Sequence, residues 1–190
     1  MKPEVPMTTE HNLKMGLHNL LAAFTDDKEI LENTPQRFLN MFAEMTSGMG
    51  VTLYDLFRAK FKTDIDELVV VRDIEFASLC QHHLMPFFGK ACVGYLPRGQ
   101  ALGLSKVARV VERLSRGLWL QENLTVKLAY AFASGLECHG VGVVLDAVHT
   151  CITCRGAKKN TSFVTSCLLG CFREDPRLRQ EFLSFVYRRG

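Results

Sequence analysis

The sequence has no apolar run of the roughly 18 residues that a membrane-spanning helix needs, so no membrane-embedded protein is expected. Its opening, Met1 to Leu13, has neither an apolar core nor a small-residue cleavage site, which argues against a secretory signal. Charge of one sign is also scarce. The 23 Lys and Arg against 20 Asp and Glu leave only +3, too little to point to nucleic acid, though it permits a local basic cleft for a small anion. No internal repeat or low-complexity segment appears. The 190 residues, 47% of them hydrophobic and 23% charged, have the composition of a soluble globular chain.

What the chain does have is cysteine, seven in all: Cys80, Cys92, Cys138, Cys151, Cys154, Cys167 and Cys171. An odd number without a secretory signal predicts reduced thiols in a cytoplasmic protein. Most are expected as buried small hydrophobes, with two or three left for chemistry.

Residues 1–10 read as a flexible tail, 11–66 as an N-terminal helical region and 67–190 as the catalytic domain. In "NTPQRFLNMF" Thr34 is the expected N-cap and Pro35 the first helical residue. From Leu68 the pattern changes to strands, "LVVVRDIEFASLC" and "FFGKACVGYLP", followed by "PRGQALG" as a turn-rich link. A helix capped by Ser105 and a second from about Gln121 to Leu136 come next. "GVGVVLDAVHTCITC" and "SFVTSCLLGCFRE" are read as strands, and Asp175-Pro176 opens a last helix ending in the charged "YRRG". The order is ββααββ, an α+β arrangement with paired helices over one face of an antiparallel sheet.

Two short clusters carry metal-binding residue types: Cys80-Gln81-His82-His83, and His149 with Cys151. On an extended strand His149 and Cys151 leave by the same face, and Cys154 by the other. Cys80, one of His82 and His83, and Cys151 make a Cys2His set, which leaves a fourth zinc position for water, as catalytic sites do. The remaining histidines would stand beside it as proton carriers. The plain alternative is two unrelated polar clusters. His18 and His139, without such company, are read as structural or solvated.

Lys106, Arg109, Arg113 and Arg116 recur at helical spacing opposite the Val107, Val110, Val111 and Leu114 stripe. Behind a helix N-terminus, and with Arg155, Lys158 and Lys159 elsewhere, they fit a phosphate site as well as a solvated basic face. Gln121-Glu122 either favours the next helix's dipole or reads the donor edge of a purine.

"CQHHLMPFFGKACVGYLP", "LGLSKVARVVERLSR", "LQENLT", "GVGVVLDAVHTC", "RG" (Arg155-Gly156) and "TSCLLGCFREDPRLRQEFL", in this order, resemble type I GTP cyclohydrolase. The resemblance implies the tunnelling fold in an allosteric homodecamer of two pentamers with sites at subunit interfaces. It implies zinc on Cys80, His83 and Cys151, and catalytic roles for His82 and His149. It further implies guanine recognition by Gln121 and Glu122, and phosphate and ribose contacts from Ser105, Lys106, Arg109 and Arg155. Arg37 matches an arginine that reaches a neighbouring subunit's site. The implied activity opens the imidazole ring of GTP, releases formate and forms 7,8-dihydroneopterin triphosphate, the first step of folate and pterin biosynthesis. Gln81 stands where the family usually has a carboxylate. The alternative is a divergent or catalytically impaired tunnelling-fold paralogue with other pterin or deazaguanine chemistry. A pterin-synthase-like member would want three histidines on the metal, and a nitrile-reductase-like member a cysteine nucleophile.

Overall fold

The computed structural model describes residues 7–187, and the chain divides into two compact units, Met1–Ser47 and Gly48–Gly190. Arg188 to Gly190, most of the expected charged C-terminal end, lie outside the described residues.

The first unit is a helix pair, α1 (Met7–Ala22) and α2 (Lys28–Met45). Helix α1 begins inside the segment read as tail. The expected cap at Thr34 is corrected: Asp27 caps α2, its Oδ1 accepting from Glu29 N and Ile30 N at 2.9 and 3.4 Å. Pro35 therefore lies buried inside the helix, where it has no N–H for the carbonyl four residues back, Leu31. His18 of α1 fills that role, its Nδ1 lying 3.1 Å from Leu31 O. A helix thus passes through a proline because a neighbouring side chain replaces the missing donor.

The second unit contains α3 (Tyr54–Phe57), β1 (Lys60–Lys62), β2 (Val69–Cys80), β3 (Pro86–Leu96), β4 (Gln100–Leu102) and α4 (Leu104–Ser115). It continues with β5 (Leu118–Trp119), α5 (Gln121–Leu136), β6 (Gly140–His149), α6 (Thr150–Thr153), β7 (Ser162–Gly170), α7 (Cys171–Glu174) and α8 (Pro176–Tyr187). The main sheet has the order β5-β2-β3-β6-β7, antiparallel except for the short parallel β5–β2 pair. In the expected turn-rich link, β4 pairs with β1, which lies in the region expected to be helical. Gly103, not Ser105, is the N-cap residue of α4.

Strand parity gives the sheet two apolar faces. Ala91, Val93, Tyr95, Val141, Val143 and Leu145 bury one face with the stripes of α4 and α5. Cys92 and Val144 point the other way, onto Phe172 and Phe182 of α7 and α8. There the paired Gly94 and Gly142 leave room for an aromatic ring. A Cβ at either would come within 2.6 or 2.7 Å of Phe182 ring carbons. The crude alternation of β2 has its reason in a bulge between Val71 and Ile74, with Asp73 at φ 59°. No helix among the described residues is long and apolar enough to cross a membrane.

A candidate metal centre at the strand ends

The register brings the chemistry to one end of the sheet. Cys80 is the last residue of β2, His149 the last of β6, and Pro86 and Phe87 open β3, with Leu79 opposite Pro86 and Phe87 opposite His149. The β2–β3 turn is held by its own backbone, Cys80 N to Met85 O at 2.9 Å and Leu84 N to Cys80 O at 2.8 Å. After His149 the strand gives way to α6, so Cys151 sits on a helical turn rather than on the continuing strand expected from its spacing. Thr150 pins that turn by donating from Oγ1 to Pro86 O at 2.6 Å. Parity was therefore the wrong reason for separating Cys151 from Cys154, yet the two do differ: Cys151 is buried and Cys154 exposed.

Donor atoms of Cys80, His149 and Cys151 lie within 4.8 Å of one another. His83, the histidine expected on the metal, is outside this group, although its Nδ1 is 3.8 Å from Cys80 Sγ. His82 is exposed beside it, the two rings edge-to-face at 6.1 Å. Two thiols and an imidazole are the soft donor set that suits zinc better than a hard cation. Burial pushes the Cys151 thiol up, the adjacent Cys80 sulfur adds to this, and Arg155 opposes it. A divalent cation reverses that preference and favours both thiolates, so the residues fit a metal.

His149 is stacked flat on Phe87, 4.5 Å between centroids and 4° between planes, with Phe163 edge-on at 5.7 Å. Burial lowers its pKa, which the nearby Glu122 carboxylate opposes, so its neutral form is favoured. Its Nε2 lies 2.9 Å from Gln121 Oε1. Gln121, expected to read a purine, is fully buried, and its amide nitrogen already meets Leu145 O, Phe163 O and Thr165 Oγ1. Glu122, next along α5, is exposed.

The phosphate candidates divide. Arg155 is close enough to influence Cys151. Helix α4 instead places its C-terminal end at the metal centre, where Gly117 O accepts from Leu79 N and Ser78 Oγ, each at 3.1 Å. Ser105 and Lys106 are on its first turn, about 15 Å further along the axis. One chain does not bring them to Cys80. Lys106, Arg109 and Arg155 form no ion pair among the described residues, whereas Arg37 on α2 pairs with Glu29 at 2.8 Å.

Sequence reading missed Phe87, Phe163, Thr125 and Thr165 as parts of this site. Only Thr125 had a visible signal, since it lies four residues from Gln121 on one helix face.

The fold and site define an α+β protein with a cysteine–histidine cluster that could hold a metal, at one end of a largely antiparallel sheet. The family model for GTP cyclohydrolase I matches residues 13–187. The chain is 44% identical to GTP cyclohydrolase 1 of Homo sapiens over 97% of its own length and 78% of that protein. It is 43% identical to GTP cyclohydrolase 1 2 of Pseudomonas putida over 94% and 98%. The apo crystal structure of the archaeosine synthase QueF-Like aligns with a TM-score of 0.44 and 18% identity, covering 55% of this chain and 95% of that one. The chain belongs to the GTP cyclohydrolase I family and has its tunnelling fold.

Proposed function

We propose that the protein is a zinc-dependent GTP cyclohydrolase I that adds water at C8 of GTP, opens the imidazole ring, releases formate and forms 7,8-dihydroneopterin triphosphate. The observation that carries this reading is the convergence of Cys80, His149 and Cys151 at the strand ends of a chain in this family. Cys80, Cys151 and His83, whose Nδ1 lies 3.8 Å from Cys80 Sγ, would hold the zinc. When bound, zinc supplies the Lewis acidity that makes water nucleophilic near neutral pH. His149, packed between Phe87 and Phe163 beside both sulfurs, carries the proton to N7. His82 assists opening of the ribose, and Glu122 accepts from the N–H edge of guanine.

The triphosphate is held by Arg155 and by Ser105, Lys106 and Arg109, so that binding energy remote from C8 positions the base. Since α4 carries the last three away from Cys80, they serve a neighbouring copy's centre, and Arg37 reaches another. The sheet is suited to such assembly. Among the described residues, strand β7 is an edge, and β2 has an outer partner only at Leu79 and Cys80. The homodecamer of two pentamers, working in the cytoplasm, is the assembly this reading requires.

The test is incubation of zinc-loaded protein with GTP, measuring formate and the neopterin fluorescence that appears after oxidation and dephosphorylation. Absence of both products from protein that holds zinc would overturn the reading. A product other than neopterin triphosphate would move the chain to a divergent paralogue.

A further inference from the structure

We infer that Gln121 is not a substrate reader but a positioning residue, one that fixes the plane of His149 and holds it as the Nε2–H tautomer. The inference rests on the cyclohydrolase reading for its catalytic meaning, but its structural content stands on hydrogen bonds alone.

Donor and acceptor bookkeeping sets the direction of every bond. Leu145 O and Phe163 O can only accept, and they lie 3.1 and 2.8 Å from Gln121 Nε2. The amide's NH2 must therefore face them, because a flipped amide would set Oε1 against two carbonyl oxygens in a fully buried place. Thr165 Oγ1, 3.1 Å from the same nitrogen, is a third acceptor, shared through a three-centre bond. Its own proton has a fixed destination. Thr125 Oγ1 donates to the backbone carbonyl of Gln121 at 2.7 Å, and so accepts from Thr165 across 2.6 Å. With the NH2 group committed, Oε1 is left facing His149 Nε2 at 2.9 Å, and an amide oxygen can only accept. His149 must donate from Nε2.

The opposite tautomer would put the lone pair of Nε2 against that of Oε1. The stacked contact with Phe87 and the edge contact with Phe163 hold the ring in its plane. The arrangement has the logic of a second group that orients a ligating or catalytic histidine, with a neutral amide in place of the usual carboxylate. Thr165 and Thr125 hold the amide in turn.

The test begins with the wild-type protein, uniformly labelled at histidine and loaded with zinc. Solid-state carbon–nitrogen correlations within the rings identify which nitrogen bears the proton, with His149 assigned by its loss in His149→Asn. The expected result is Nε2–H, and Nδ1–H would overturn the inference without any reference to turnover. Gln121→Met removes the acceptor. It should leave a mixture of tautomers and lower kcat for GTP about tenfold, the worth of one hydrogen bond, with KM changed less than twofold. A raised KM at unchanged kcat would instead return Gln121 to reading substrate. Thr165→Val leaves both carbonyl acceptors in place and should keep the Nε2–H form; its loss there would show that the amide direction was wrongly derived. If Gln121→Met does not fold, the wild-type spectrum still decides. If wild-type protein makes no formate, the functional proposal fails while the tautomer result stands.

Discussion

The sharpest expectation concerns which side chains hold the metal, and four single variants resolve it: Cys151→Ala, Cys154→Ala, His83→Ala and His149→Ala. Cys151 is buried with a donor atom within 4.8 Å of those of Cys80 and His149, whereas Cys154 is exposed, its sulfur 3.7 Å from Thr153 Oγ1. Altering a group that merely supports a metal ligand costs about 10–100-fold in affinity. Removing one of two thiolates should therefore cost about 100-fold or more, or at least about 2.7 kcal/mol. Cys151→Ala is expected to lose zinc on dialysis against a competing chelator, and Cys154→Ala to match the wild type. His83→Ala should weaken zinc comparably, while His149→Ala keeps zinc and loses turnover. Metal content by mass spectrometry, with a chelator titration for affinity, measures all four. Equal zinc loss in Cys151→Ala and Cys154→Ala would refute the placement of the centre. Zinc lost from His149→Ala but retained by His83→Ala would make Cys80, His149 and Cys151 the ligand set and His83 a proton carrier.

Four further outcomes are expected. Gly94→Ala sets a Cβ about 2.6 Å from Phe182, forces the ring to move by nearly 1 Å and should cost about 1–3 kcal/mol in a denaturant melt; a neutral result would mean that α8 is loosely packed. Burial pushes the Cys92 thiol up from 9.0 to about 12, with Asp73 adding and Arg72 opposing. The folded state then favours the neutral thiol, so this contribution is whole below pH 9 and declines as pH rises toward 12, and Cys92→Ala should flatten the alkaline limb of a stability profile. His18→Leu strips the Leu31 carbonyl of its donor and should cost the helix pair about 1 kcal/mol by amide exchange, less on a Pro35→Ala background, where the restored backbone N–H serves Leu31; equal losses in both backgrounds would remove the compensation argument. Gln81→Glu places a carboxylate beside the histidine pair and should raise the rate roughly two- to fivefold, the worth of an exposed charge; an unchanged rate would show that the amide is tolerated.

Periodicity made the fold legible wherever a burial stripe was regular. The stripes of α4 and α5 and the order ββααββ follow from it directly, because each of those elements buries one face against the sheet. It failed where a local exception was compensated from a distance. Pro35 looks like a helix start, yet α2 begins at Lys28 behind the Asp27 cap, and His18, 17 residues from Pro35 and on another helix, serves the Leu31 carbonyl that the proline cannot. The bulge at Arg72-Asp73 and the pairing of β4 with β1 are likewise settled by partners remote in sequence.

The site divides along the same line. Residue type and spacing were enough to raise Cys80, Cys151 and three histidines as candidates, since few other residues bind a soft metal. They were not enough to say what each does. Gln121 shows why: "LQENLT" presents it next to Glu122 as though both faced a ligand, yet the first turn of α5 sends the two side chains in different directions. Glu122 meets solvent, and Gln121 enters the space between β6 and β7, where Leu145, Phe163 and Thr165 complete its amide. A buried amide has four hydrogen-bonding positions and no charge to be solvated, so its direction is dictated by whichever carbonyls surround it. That direction then passes to His149. On the inference above, the tautomer of His149 is set by backbone oxygens on two strands, and no spacing rule in the sequence could have carried it.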